Sequence, residues 1–322
     1  MVRCSLKTVL MGLFLCMAAV TAMAATPPLK GFVVFGDSLS DNGNLYAYMK
    51  HQLPLSPPYY QGRFSNGPVW IEHLVASYYP VDALAHMSNY AFGGSGIAAK
   101  EEDEDPINDG GMLTLDEQVD SYLLAHGDKA NDSSLYVVWT GANNYLALPD
   151  DINAEVRFVV SGTLRSVEHL LEKGAKHIMV LGLPDLGRTP MALEFEATDE
   201  LSTLAKRHNA LLEAEVRKLE IKYPEVQWIF FSVYEMFQEA IDYPERYGFT
   251  NTTGTCYDTL ESLPSSQSIL SMASRIKPGS MPHRHICDEY LFFDPVHPSA
   301  RAHEHIGQQV RAFLDHVGVK FE

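Results

Sequence analysis

Basic residues are scarce. The chain has 322 residues, with 24 Lys and Arg against 41 Asp and Glu, for a formal charge of −17. A surface of that sign repels nucleic acid and anionic lipid by charge alone. No nucleic-acid partner is expected, and only transient contact with a membrane surface. Long hydrophobic runs are absent apart from one at residues 9–20, too short to span a bilayer comfortably. Cofactor signatures are missing as well. There is no H-E-x-x-H, no P-loop lysine, and the glycines of Gly93-Gly94-Ser95-Gly96 lack G-x-G-x-x-G spacing. His283-x-His285-x-Cys287 offers three ligand types without an evident fourth. No cofactor and no metal are therefore expected. Neither an internal repeat nor a linker divides the chain.

The one apolar run has a context. Arg3 and Lys7 precede it, and Thr21-Ala22-Met23-Ala24-Ala25 follows with small residues suitably spaced for cleavage. That is the layout of a secretory signal, predicting cleavage after Ala24 and a single domain over residues 25–322. The alternative is an uncleaved anchor. Loss of Arg3 and Lys7, two positive charges and no acid, takes the net charge from −17 to −19. Cysteine is scarce too: of four, Cys4 and Cys16 leave with the signal, and Cys256 and Cys287 remain. In an exported chain an even pair predicts a disulfide. It would close a loop of roughly thirty residues and contribute ~3 kcal/mol by the chain-entropy argument. Two buried thiols are the alternative.

What is present alternates. Residues 32–35, 89–92, 135–139, 177–181 and 226–231 read as strands, the last of the series being 226–231. Residues 69–79, 115–125, 156–171 and 299–317 read as helices. Between them, Leu201, Leu204, Ala205, Leu211, Leu212, Val216 and Leu219 recur at helical spacing until Pro224. Alternating strands and helices predict a three-layer α/β/α sandwich, its sheet mainly parallel and flavodoxin-like, with chemistry beyond the carboxyl ends of the strands. Two segments break the rhythm: an acidic loop at 100–109, and a long Ser/Thr/Pro/Gly-rich stretch at 244–290 that holds both remaining cysteines.

The first strand runs into Gly36-Asp37-Ser38-Leu39-Ser40-Asp41-Asn42-Gly43-Asn44. A serine at a tight turn after a buried strand is rigid and points into the cleft. A following helix would put a positive dipole end near Ser38, with Ser40 or Asp41 as its cap. Near the other end, Asp294-Pro295-Val296-His297-Pro298 is a turn pinned by two prolines. Asp and His three apart can pair carboxylate to Nδ1, leaving Nε2 as a base for a serine hydroxyl. The segments 89–94 and 141–144 each end a predicted strand, and offer glycine amides and the Asn143 carboxamide as oxyanion donors. No G-x-S-x-G elbow is present, which disfavours an ordinary α/β-hydrolase. His303-Glu304-His305 falls on the exposed side of the closing helix. Tyr59-Tyr60 and the aromatics of 243–249 are candidates for lining an acyl site.

The order Gly-Asp-Ser-Leu, Asn…Gly-Gly, Gly-x-Asn, Asp-x-x-His resembles the GDSL (SGNH) hydrolase family. The resemblance implies Ser38 as nucleophile, His297 as base, Asp294 as its orienting partner, and an oxyanion hole of the Ser38 amide, Gly94 and Asn143. Gly93 is the alternative to Gly94. Where the family commonly reads Gly-x-Asn-Asp, this chain has Asn144. The segments 63–70 (Arg-Phe-Ser-Asn-Gly-Pro-Val-Trp) and 183–187 (Leu-Pro-Asp-Leu-Gly) are similar to the bacterial phospholipase and glycerophospholipid–cholesterol acyltransferase branch. That branch implies exported enzymes acting on phospholipid or lysophospholipid acyl esters, with water or a sterol as acceptor. Two other readings stand beside it: an esterase for short-chain or carbohydrate acetyl esters, and a secreted binding module without turnover.

Overall fold

The computed structural model describes residues 27–98, 113–257 and 287–322. Strand β1 (Gly31–Gly36) is buried along its whole length. It pairs in parallel with β2 (Met87–Asn89) on one side and β3 (Ser134–Trp139) on the other. Beyond β3 lie β4 (His177–Leu181) and β5 (Gln227–Phe231), giving the order β2-β1-β3-β4-β5. This is the doubly wound, flavodoxin-like order, in which the strand sequence reverses at β1 and β3 and leaves a crevice at their carboxyl ends.

Among the described residues the α-helices are, in chain order, α1 (Asn44–Tyr48), α2 (Trp70–Tyr78), α3 (Leu115–Ala125), α4 (Ala142–Tyr145), α5 (Ile152–Glu172), α6 (Pro190–Glu194), α7 (Thr198–Lys222), α8 (Val233–Asp242), α9 (Pro244–Tyr247) and α10 (Ala300–His316). Strand side chains alternate between two layers of core. Phe32, Val34, Leu135, Val137 and Met179 meet Ile71 and Leu74 of α2 and Ile306 and Val310 of α10. Val33, Phe35, Tyr136, Val138 and Ile178 meet Val119 of α3, Val159 of α5 and Leu204 of α7. Each buried side chain of this size stabilises the fold by about 1.5–3 kcal/mol relative to exposure. The expected three layers around a parallel sheet are therefore present.

Local signals account for the element ends. Thr114 and Glu117 form a reciprocal capping box that starts α3. Helix α7 stops at Lys222, just ahead of Pro224. Two expectations need correction. The strand predicted over 89–92 is β2, which ends at Asn89, because the Asn89 side chain takes the amide of Ala91 and bends the backbone. The amides of Tyr90 and Phe92 still bond to Val34 and Gly36, so this segment keeps following β1. Strand β5 is also not the last. Within the predicted long loop and at its end, β6 (Asn251–Thr255) and β7 (Tyr290–Phe292) form a separate two-stranded parallel sheet. Cys256 follows β6, Cys287 precedes β7, and the two are joined by the expected disulfide, with Cα atoms 5.3 Å apart. The signal segment, the acidic loop at 100–109 and residues 258–286, including His283 and His285, lie outside the described residues.

One helix face is also not as expected. His303 is fully buried, because α10 lies against α2, and its Nδ1 accepts the Trp70 amide at 3.2 Å. Burial lowers its pKa from 6.5 to about 3, with His73 and His297 acting in the same direction, so it stays neutral. His305 reaches the Tyr247 carbonyl at 2.9 Å, and only Glu304 is exposed.

Candidate active site

The crevice at the carboxyl end of β1 begins with Gly36, where a Cβ would collide with the Trp139 carbonyl oxygen of β3. Only glycine allows β1 and β3 to approach so closely there. The buried side chain of Gln118, from α3, bonds both backbone groups of Gly36 at 2.9 Å and the Ser95 hydroxyl at 2.8 Å. It splints the end of β1 to the 93–96 loop. Residues 37–41 then form a turn closed by the amides of Ser40 and Asp41 on the Asp37 carbonyl. No helix starts at Ser38: α1 begins six residues on and has five residues, so the expected dipole end is not there.

Asp41 does act as a cap. Its Oδ1 accepts from Gly43 and Asn44, and its Oδ2 from Leu45 and from the Gly93 amide at 2.7 Å. Asn44 bonds the carbonyls of Asn89 and Ala91, and Asn89 bonds that of Ser40. The serine turn and the 89–94 loop are thus one hydrogen-bonded unit.

Ser38 is 2% exposed, and its Oγ lies 2.8 Å from Nε2 of His297. The Nδ1 of His297 lies 2.6 Å from Oδ2 of Asp294. Oδ1 of Asp294 accepts the amides of Val296 and His297, and Oδ2 also accepts the Tyr59 hydroxyl at 2.6 Å. Burial pushes the Asp294 carboxyl up. His297 and the hydrogen bonds from His297, Tyr59 and Val296 outweigh it and hold the group below its ordinary value. An ionised Asp294 only accepts, so Nδ1 carries its hydrogen and Nε2 presents a lone pair to Ser38. The 63–70 segment supports this turn. Ser65 bonds the Pro298 carbonyl, Asn66 takes the Ala300 amide, and the Phe64 ring lies 5.0 Å from that of His297.

Ser38, His297 and Asn143 line one cleft, walled by Leu146, Leu186, Val233, Phe237, Phe292 and Ile306. The Asn143 carboxamide gives one hydrogen to the Ser95 carbonyl at 2.6 Å and keeps its second. Gly94, at φ 77°, sits in the neighbouring pocket that shares Asn143. The Gly93 amide is committed to Asp41. Asn144 bonds both backbone groups of Ile97, accepting from its amide and donating to its carbonyl. A carboxylate could not make the second bond. The aromatics of 243–249 do not line this cleft; Phe249 packs with Phe237, Leu291 and Phe292 in a satellite core.

Asp37 is the other titratable group in the cleft wall. Its Oδ1 accepts the Leu39 amide, and its buried Oδ2 has no partner. Burial lifts its pKa from 3.8 to about 7, against the pull of Leu39 and His297. A raised folded-state pKa gives stability that is full below pH 3.8 and lost as pH rises through 7. The loss is about 4 kcal/mol by linkage. An Asp37→Asn chain has no such loss. Its melting temperature relative to the parent should climb between pH 5 and pH 8, and an offset that stays constant across that range would contradict the account.

Sequence comparison gives this geometry a family. Residues 32–310 match the GDSL-like Lipase/Acylhydrolase family. The chain belongs to that family. It is 30% identical over 337 residues to a phosphatidylcholine-sterol acyltransferase of Aeromonas hydrophila, covering 94% of this chain and 96% of that protein. It is 29% identical to the secreted effector protein SseJ of Salmonella typhimurium, covering 88% of this chain and 63% of the effector. It is 27% identical to a thermolabile hemolysin of Vibrio parahaemolyticus, covering 86% and 62%. The matched part is therefore a little under two thirds of the length of the effector and of the hemolysin. Family membership makes this an ester-hydrolysing or acyl-transferring protein.

Tyr59, Gln118 and Asp41 are the site residues that sequence reasoning placed poorly or not at all. Tyr59 was a candidate only for an acyl site, and Asp41 only for a helix cap. Gln118 carried no sequence signal beyond its place on a predicted helix.

Proposed function

We propose that this chain is an exported serine hydrolase of lipid acyl esters, acting on phospholipid or lysophospholipid through an acyl-Ser38 intermediate. The observation that carries the reading is the Ser38–His297–Asp294 hydrogen-bonded series, whose Ser38 and His297 line an apolar cleft. His297 takes the Ser38 proton as Oγ attacks the ester carbonyl, and returns it to the leaving alkoxide. The Ser38 amide, Gly94 and the free hydrogen of Asn143 receive the oxyanion. Water then repeats the sequence in reverse and releases the fatty acid; a sterol or other alcohol in its place receives the acyl group instead. The chemistry needs no cofactor or metal.

The aliphatic and aromatic lining suits an acyl chain better than a carbohydrate, whose hydroxyls need polar partners. This favours lipid esters over carbohydrate acetyl esters. The similarity to a phosphatidylcholine-sterol acyltransferase points the same way. Export rests on the N-terminal signal pattern, with residues 1–24 as the signal and 25–322 as the mature domain. Among the described residues no helix is long and apolar enough to cross a membrane.

The test is fatty-acid release from diacyl phospholipid, lysophospholipid and a short-chain ester by the purified mature protein beside its Ser38→Ala variant. Ser38-dependent release from the lipids supports the proposal. Turnover of the short ester alone would move the protein to the general esterase reading. An Asn143→Ala chain should lose about 10²–10³-fold in kcat with little change in KM, because the donor acts on the transition state. A change confined to KM would remove Asn143 from the oxyanion site.

A further inference from the structure

We infer that Tyr59 is a positioning residue that sets the basicity of His297 through Asp294; the inference rests on the hydrolase reading above. Tyr59 lies 235 residues from Asp294 in sequence, and its hydroxyl donates to Oδ2 at 2.6 Å. The same oxygen receives Nδ1 of His297 at 2.6 Å. Two donors therefore share one carboxylate oxygen. The phenol is 3% exposed and is held edge-on between Phe64 and Phe293, with ring centroids 5.8 and 5.3 Å away. Phe64 in turn lies against the His297 ring. Burial, then Asp294, push the Tyr59 hydroxyl well above its ordinary pKa, so it remains a donor across the working range.

The sign of the effect follows from the shared oxygen. Tyr59 draws charge from Oδ2 and stabilises the ionised carboxylate on its own account. Less charge is then left to stabilise the proton on His297, so the imidazolium gives up that proton at lower pH. Removal of the hydroxyl returns the charge to the Nδ1–H bond, and His297 keeps its proton to higher pH. The donor fixes Oδ2 of Asp294 alongside His297, while the two backbone amides fix its other oxygen.

Tyr59→Phe tests this with the ring retained. The probe is kcat/KM for a soluble short-chain ester across pH 5 to 9, beside thermal melts. Asp37 shares the cleft wall with His297 and titrates at about 7, while His303 stays neutral, so the profiles are compared in an Asp37→Asn background. There the acidic limb, where the base protonates, should move to higher pH by about half a pH unit or more in Tyr59→Phe, with KM nearly unchanged. The downfield Nδ1 proton resonance of His297 should move with it. Site-specific 3-fluorotyrosine at position 59, a stronger donor, should move the limb the opposite way, and serves equally if the Phe variant folds poorly. A limb that stays in place in both proteins, whatever happens to kcat, overturns the inference and leaves the hydrolase reading intact. Full activity in Ser38→Ala would overturn the hydrolase reading itself, whatever the Tyr59 variants do.

Discussion

Alanine at position 38 is expected to lower kcat at least ~10⁴-fold on every ester the protein turns over, with the fold intact. The substitution deletes one buried oxygen whose hydrogen-bond partner is Nε2 of His297. It leaves the turn in place, because that turn is held by backbone bonds to the Asp37 carbonyl and by Asp41. The oxyanion donors survive as well, so a residual rate above that in water should persist. His297→Ala should cost a similar factor, since a serine hydroxyl is a poor nucleophile without its base. Ser38→Ala combined with His297→Ala should then be no slower than either alone, because the two groups act as one unit. Kinetics on a short-chain ester, with mass spectrometry of the protein after a fluorophosphonate label, read both points. A label that still attaches to the Ser38→Ala protein, with its rate preserved, would place the nucleophile elsewhere.

The parts of this site differ in how far they can be read from sequence, and the reason is range. The inner strands β1, β3 and β4 are buried on both faces, so they appear as continuous apolar runs. Helix α3 carries its start signal in two residues three apart. Asp294 and His297 share one turn, so their pairing is a local matter that spacing can suggest. Strand β6 has no apolar residue, β7 is only three residues long, and the two pair across a gap in sequence, so neither shows a strand pattern of its own. His303 looked solvated because a helix face is inward or outward only relative to its neighbour, here α2. Gln118 reaches Gly36 across 82 residues, and Tyr59 reaches Asp294 across 235. Such contacts are decided by topology, and nothing in the local residue pattern announces them.

Asp294→Asn should be as damaging to turnover as loss of the nucleophile, about 10⁴-fold in kcat, while leaving stability nearly unchanged. The carboxylate accepts four hydrogens: the amides of Val296 and His297 on Oδ1, and His297 Nδ1–H and the Tyr59 hydroxyl on Oδ2. An asparagine has one oxygen and one NH₂ for these four donors. The backbone amides cannot turn, so the carboxamide oxygen faces them and the NH₂ takes the place of Oδ2. The Tyr59 hydroxyl can rotate to accept one of its hydrogens. His297 can also accept one, but only by moving its own hydrogen from Nδ1 to Nε2. The four donors that Asp294 accepted then leave only the Tyr59 hydrogen to find a new acceptor, the ring stays in place, and Nε2 points a hydrogen at Ser38 where a lone pair is required. Asp294→Ala forces no such tautomer, so it should retain more activity than Asp294→Asn despite the larger change in shape. Paired kcat and melting measurements on the two variants decide the matter. An Asn variant within tenfold of the parent rate would mean that something other than Asp294 sets the tautomer of His297. An Asn variant slower than Ala, and as stable as the parent, would assign the effect to the position of one hydrogen.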